Sequence, residues 1–232
     1  MPPRRFSRRI AMTDALNLLI QPLGQTLLMI LVSTLIATIF GGALGILLFA
    51  LSNDRFAGKH KGARFAKHVA DRAINVLRSF PYIILMVLVL PLSRLIVGTS
   101  LGTRAAIVPL SIAAIPFLAR IVESSLSEVD AGVIDAAISC AASKRRIVFA
   151  ILIPEALPSL VSGLTLTMIS LLGYSAMAGV IGGGGLGDLA IRYGYQRFRG
   201  DVMAVAVITI IILVELIQFA GTALANRIRA TR

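Results

Sequence analysis

Apolar positions fill this chain in long unbroken runs, and the polar positions gather in a few short stretches between them. From Leu16 to Leu51 there is no charged residue in 36 positions. One helical crossing of a bilayer takes about 20 residues, so this run holds one crossing with a surplus, but not two and a turn. A short interfacial piece up to Pro22 and a first span at about 25–50 divide it. The same reading predicts further spans at about 79–95, 105–122, 157–181 and 202–226. Each is read as a helix, because a helix satisfies its own backbone inside lipid. The fold class is therefore all-α, a polytopic membrane protein with five transmembrane helices, and residues 1–232 form a single transmembrane domain.

The stretches between the runs have their own patterns. Residues 1–15 carry Arg4, Arg5, Arg8 and Arg9 and read as a polar tail. Gly41, Gly42 and Gly45 stand at the small-residue spacing that lets helices pack closely. Asn53 to Arg78 holds seven Lys/Arg, and its second half predicts an amphipathic helix with Phe65, Val69 and Ile74 on one side. Pro81, Pro91, Pro109 and Pro116 mark the second and third spans, where neighbouring helices can satisfy the freed carbonyls. Arg120 and Glu123 lie three apart and can pair. Gly182 to Gly187 reads as a flexible outer turn, followed by Tyr193, Tyr195 and Phe198 as membrane-interface aromatics.

The stretch from Ser127 to Pro158 is different in kind, because it mixes charge, small residues and apolar residues between two spans. Asp130 can cap a helix over about 131–142 by accepting from free N–H groups one turn on. Ser143 can cap a second helix, Lys144 to Ile153, which Pro154 stops. Two short helices at a tight corner make a compact hairpin at 127–154. Ala136, Ala137, Ala141 and Ala142 would let a partner surface approach closely.

Composition sharpens this picture. The chain is 57% hydrophobic and 15% charged, with a mean hydropathy of +0.88. A soluble domain of 232 residues does not have that balance, and an integral membrane protein does. A net charge of +12 would suit nucleic acid, but the cations sit in short loops between apolar runs, where they report topology instead. Thirteen Lys/Arg fall on the side of the hairpin and the C-terminal tail, against nine on the other side. The bias puts the N-terminus outside and the C-terminus in the cytoplasm. Cys140 is the single cysteine, so no internal disulfide forms. The first apolar run is far longer than the roughly 7–15 residues of a signal-peptide core, so no cleavable signal is evident.

The hairpin residues carry a family resemblance. Asp135-Ala136-Ala137, then Ala141, then Ile151-x-Ile153-Pro154 resembles the EAA–x3–G–x9–I–x–LP motif of ABC-importer permeases. The spacing matches throughout, with Asp135 for Glu, Ala141 for Gly and Ile153 for Leu. Phe80-Pro81-Tyr82, Ile96-Val97-Gly98, Pro154-Glu155-Ala156-Leu157-Pro158, Gly173-Tyr174-Ser175-Ala176-Met177 and Leu216-Ile217-Gln218-Phe219-Ala220-Gly221 are similar to the methionine-importer branch. Together the matches cover roughly 16–229. The resemblance implies a type I importer permease of the bacterial cytoplasmic (inner) membrane, working as a homodimer. Its implied partners are two copies of a cytoplasmic ATP-binding subunit and a periplasmic or lipid-anchored substrate-binding protein. Asp135, Ala136, Ala137, Ala141, Ile151 and Pro154 would form the ATPase-coupling site. Tyr174, Ser175 and Met177 would line the translocation pathway, with the flexible thioether of Met177 closing an outer gate. Methionine as cargo also comes from the resemblance.

Other chemistry finds little purchase. There is no G-x4-G-K-[ST], so energy for active transport must come from a partner. Gly182 to Gly187 formally contains G-x-G-x-x-G, but no strand precedes it. His60 and His68 read as solvated loop residues, and neither a metal spacing nor a catalytic set is visible, so no cofactor and no enzyme activity are expected. A proton-coupled secondary transporter using Glu215 is the alternative reading, with a passive channel or structural subunit as the third. Otherwise Glu215 is read as a protonated acid buried against protein near Gln218.

Overall fold

The structure is a computed structural model that describes residues 18–58 and 61–230. The polar tail at 1–15 and His60 lie outside the described residues. Every regular element among them is helical. In chain order these are α1 (Ile20–Ser52), α2 (Asp54–Ala57), α3 (Lys61–Ser79), α4 (Tyr82–Val97), α5 (Thr103–Ser127), α6 (Ala131–Ser139), α7 (Lys144–Ile147), α8 (Ile153–Val180), α9 (Gly185–Leu189) and α10 (Gly200–Ala230). Two π-helical turns, Val148–Leu152 and Ala190–Tyr195, join α7 to α8 and extend α9.

Four stretches are long and apolar enough to cross a membrane: 33 residues in α1, 25 in α5, 37 from Lys144 to Val180, and 31 in α10. Helix α4 has only 16 residues, short of the roughly 20 a crossing takes, and Arg64–Ser79 of α3 meets it at a bend of 105°. Pro81 explains the break, because its ring fixes φ at −56° and it stands before the first turn of α4 rather than inside the helix. The expected interfacial piece up to Pro22 is corrected at its end: Ile20 to Pro22 already belong to α1. Proline is tolerated in a first helical turn, where its missing N–H has no partner to lose.

The chain packs as two compact units. The first holds the residues up to Thr34, Pro81–Ile112 and Met168–Ile217. Its core gathers Leu19, Leu186, Leu189, Ala190, Val202 and Ala206. The glycine run is built into this unit rather than being a free turn. Gly183, Gly185 and Gly187 are buried, and Gly182, Gly184 and Gly185 have φ of 86°, 76° and 84°. The Gly185 N–H donates to the Gln25 Oε1 at 2.8 Å, and the Leu186 N–H to the Thr26 Oγ1 at 2.9 Å. A Cβ on Gly187 would run into the Ala176 backbone, so these positions lack side chains for close packing and positive φ, not for mobility. Tyr193 is half-buried under the Arg197 guanidinium, while Tyr195 and Phe198 are exposed.

The second unit holds Leu35–Phe80, Ala113–Thr167 and the residues from Gln218. Gly41 and Gly45 let α1 close on α5. A Cβ built on Gly41 would lie 2.8 Å from the Ile115 carbonyl oxygen, and one on Gly45 would lie 2.6 Å from that of Ala119. Gly42 faces open space. Leu48, Ile74 and Ala119 form a small buried cluster. The amphipathic face expected on α3 is corrected here: Ile74 is buried, whereas Phe65 and Val69 are exposed. Nine residues at 100° each put Ile74 about 180° from Phe65, so the two cannot share a side.

Between α3 and α5 four charges close a ring. The Lys67 Nζ reaches both Asp71 (2.9 Å) and Glu123 (2.6 Å), and the Arg120 Nη1 reaches the same two carboxylates at 2.8 and 2.7 Å. The Arg120–Glu123 pair expected from the spacing is one side of that ring.

Candidate functional site: the Ser127–Pro154 hairpin

The hairpin is built by its caps. Asp130 Oδ1 accepts from the Gly132 N–H at 2.7 Å and starts α6. The far end of α6 closes in a Schellman arrangement, with the Ala142 N–H on the Ala137 carbonyl (3.1 Å) and the Ala141 N–H on the Ile138 carbonyl (2.9 Å). Ala141 takes the left-handed position at φ 55°, where helix ends usually carry glycine. The corner therefore keeps its sharpness although its residue has a Cβ. Ser143 Oγ accepts from the Arg146 N–H at 3.4 Å and starts α7.

Pro154 does not end the second helix. The helical path runs from Lys144 to Val180. A proline ring crowds the carbonyl four residues back and supplies no N–H to it. The π-helical turn Val148–Leu152 lies immediately before, and its wider winding makes room for that ring. The hairpin's second arm is thus one rigid body with the start of a membrane-length helix.

The two faces of the hairpin differ. Ile134, Ala137, Ile147, Val148 and Leu152 are buried against the rest of the unit. Ala136, Cys140 and Ala141 are exposed, and together with Ala150 and Ile151 they line an open concavity of about 660 Å³. Of the six residues expected at a coupling surface, Ala136, Ala141 and Ile151 line this concavity. Ala137 reaches its floor but is only 8% exposed and packs inward. Pro154 is exposed beside it in the chain.

Asp135 is engaged within the chain. Its carboxylate takes a bidentate pair from Arg55, Nε to Oδ1 at 2.6 Å and Nη2 to Oδ2 at 2.8 Å. Hydrogen bonding to Asp135, and then its charge, raise the Arg55 pKa above the ordinary value. Lys144 Nζ donates to the Phe56 carbonyl at 2.5 Å, and the Phe56 ring meets Phe49 edge-on at 5.6 Å between centroids. Both arms of the hairpin are thereby clamped to α2, which follows α1 after one residue. On the other side the Ser125 and Ser159 hydroxyls lie 3.0 Å apart, and Ser159 donates to Glu128 at 3.1 Å. Arg55 and Phe56 escaped sequence reasoning because they stand in a basic loop 80 residues before Asp135, with nothing local to single them out.

The gate candidates separate. The Tyr174 ring stacks on Tyr82 with centroids 4.7 Å apart and planes 12° from parallel. Ser175 is buried, and its hydroxyl donates to the Leu172 carbonyl at 2.7 Å, so it is spent on its own helix. Met177 is 46% exposed. Glu215 is exposed on α10 rather than buried, and Gln218 bonds Thr222 at 3.1 Å instead of Glu215. Residues three apart sit about 60° off a common line, while the Gln218–Thr222 pair has the better-aligned i, i+4 spacing.

Membrane-length helices joined by a capped hairpin with an open concavity define a polytopic helical membrane protein. The family of binding-protein-dependent transport system inner membrane components matches residues 55–230, and the chain belongs to that family. It is accordingly a multi-pass inner-membrane protein. A probable D-methionine transport system permease protein, MetI, of Vibrio cholerae is 44% identical over 221 residues, covering 94% of this chain and 96% of that one. The methionine import system permease protein MetP of Bacillus subtilis is 48% identical over 158 residues, covering 68% and 71%. A structure of the MetNI methionine ABC transporter in an inward-facing conformation superposes with a TM-score of 0.86 at 40% identity, covering 92% of this chain and 97% of that chain. An amino acid ABC transporter at 20% identity and a TM-score of 0.75 shares the fold. The proton-coupled alternative through Glu215 finds no support in this family.

Proposed function

We propose that the chain is the membrane-spanning half of an ATP-driven importer whose cargo is methionine, as the D or L isomer. It works as a homodimer with two cytoplasmic ATP-binding subunits and a periplasmic or lipid-anchored binding protein. The N-terminus lies outside and the C-terminus in the cytoplasm. The observation that carries this reading is the hairpin: its open apolar concavity is a socket, and its clamps to α2 and its continuity with α8 turn a push on it into a displacement of two long helices. The cargo rests on relatives named for methionine at 44–48% identity.

In this mechanism ATP binding draws the two ATP-binding subunits together, each hairpin follows, and the permease halves rock between inward and outward access. Met177 of each copy meets its counterpart near the axis as an outer gate, beside the stacked Tyr174. Asp135 sets the angle of the socket through Arg55.

Cys140 tests the socket directly. It is the only thiol and it is exposed. A membrane-impermeant maleimide should label it from the cytoplasmic side in the permease alone and fail to label it once the ATP-binding subunit is added. Labelling from the outside only would overturn the orientation, and equal labelling with and without the partner would overturn the socket. Uptake of labelled methionine by proteoliposomes, with lysine or glutamate as competitors, tests the cargo separately.

A further inference from the structure

Helix α3 has three faces instead of two. Wound at 100° per residue, Lys67, Ala70, Asp71 and Ile74 fall on the side packed against the protein, with Ile74 buried and the others half-buried. On the opposite side Phe65, Val69 and Val76 lie within about 40° of one another. They are 72%, 50% and 57% exposed. Beside them Lys61, Arg64, His68 and Arg72 form an exposed basic edge spanning about 80°. Among the described residues, Lys61, Arg64 and Arg72 enter no ion pair.

The helix cannot hide its apolar face by rolling. The ring of Lys67, Asp71, Arg120 and Glu123 fixes its rotation against α5. Nor can the face be far from lipid, because only Phe80 and Pro81 separate α3 from the apolar helix α4. A helix with aromatic and branched apolar residues on one face and Lys/Arg along its polar edge suits the boundary between headgroups and acyl chains. Its charge is complementary to an anionic leaflet.

We propose that α3 lies in the headgroup layer, with Phe65, Val69 and Val76 in the acyl boundary and Lys61, Arg64 and Arg72 holding anionic phospholipid headgroups. The charge ring is the joint between this lipid-bound helix and α5. The proposal rests on the chain's membrane location and not on its cargo.

The chain has no tryptophan, so one introduced at this face reports alone. Full-length permease carrying Phe65→Trp is reconstituted into phosphatidylcholine vesicles with or without phosphatidylglycerol. Quenching is measured with brominated acyl chains on either lipid and with aqueous acrylamide. Brominated lipid should quench and acrylamide should not, and brominated phosphatidylglycerol should quench more than brominated phosphatidylcholine at equal mole fraction. Arg64→Gln should reduce that preference by up to about fivefold, the effect of one cation at an anionic surface. Arg64→Gln with Arg72→Gln should bring it close to none. Quenching by acrylamide alone would sink the proposal. So would a tryptophan shielded from both quenchers, which would mean that a second copy covers the face. Equal quenching by the two lipids, unchanged by the glutamines, would overturn the headgroup assignment. If Phe65→Trp does not assemble, Val69→Trp reads the same face.

Discussion

Ala141 sits at the corner of the hairpin with φ 55°. A residue with a Cβ pays about 1–2 kcal/mol in that conformation, because the Cβ approaches the following carbonyl. Glycine does not, but its freer unfolded chain costs about 0.4–1 kcal/mol to order. Ala141→Gly should therefore stabilise the closed corner by about 0.5–1 kcal/mol. The two N–H groups that close it, on Ala141 and Ala142, make their bonds only when this turn is formed. Their hydrogen exchange reports local opening, so protection should rise by a factor of about 2–5 in Ala141→Gly. Ala141→Val should act in the other direction and lower protection further than glycine raises it, since a branched side chain fits positive φ worst. Exchange of the amides in α5 and α10 is the internal control and should not change. If glycine left protection the same or reduced it, the left-handed strain at Ala141 would not be real, and the account of how this corner stays sharp would fail.

Four further outcomes follow from the packing. Ala136→Phe, on the exposed face, should weaken association with an ATP-binding subunit in pull-down titrations while leaving the permease's own melting temperature unchanged. Ala137→Phe faces inward and should cost the permease about 1–3 kcal/mol by overpacking, seen as an earlier melt before any partner is added. Gly45→Ala places a Cβ against the Ala119 carbonyl oxygen and should destabilise by about 1–3 kcal/mol, whereas Gly42→Ala meets nothing within 4 Å and should be neutral or slightly stabilising in the same melt. Glu123→Gln removes one corner of the charge ring and should cost about 1–2 kcal/mol, discounted for the ring's partial exposure. A double-mutant cycle with Lys67→Met should then show coupling between the two sites.

What was legible in the sequence is what depends on neighbours in the chain. The capping residues Asp130 and Ser143 follow from local spacing, and the structure places both as the spacing implies; of Gly41, Gly42 and Gly45, the first and last meet the facing helix and Gly42 meets nothing. What was not legible depends on partners distant in sequence. Asp135 reads as a free charge for docking until Arg55 is brought to 2.6 Å by the turn after α1. Pro154 reads as a helix stop until the π-helical turn before it is seen to absorb the ring. The glycine run reads as a loose turn because a sequence does not show what a missing side chain makes room for, here the Ala176 backbone and the Gln25 and Thr26 side chains. The same logic bears on the hairpin's work. A docking charge alone would let the socket swivel on its partner. In the proposed coupling role, a charge already tied to α2, opposite an arm continuous with α8, leaves the hairpin no direction to yield without moving α1 or α8. Asp135→Ala should consequently leave a complex that binds its ATP-binding subunit but hydrolyses ATP with little uptake, and Arg55→Ala should reproduce that uncoupling without touching the docking face. Uptake per ATP that falls for Asp135→Ala but stays intact for Arg55→Ala would place the role of Asp135 on the partner instead.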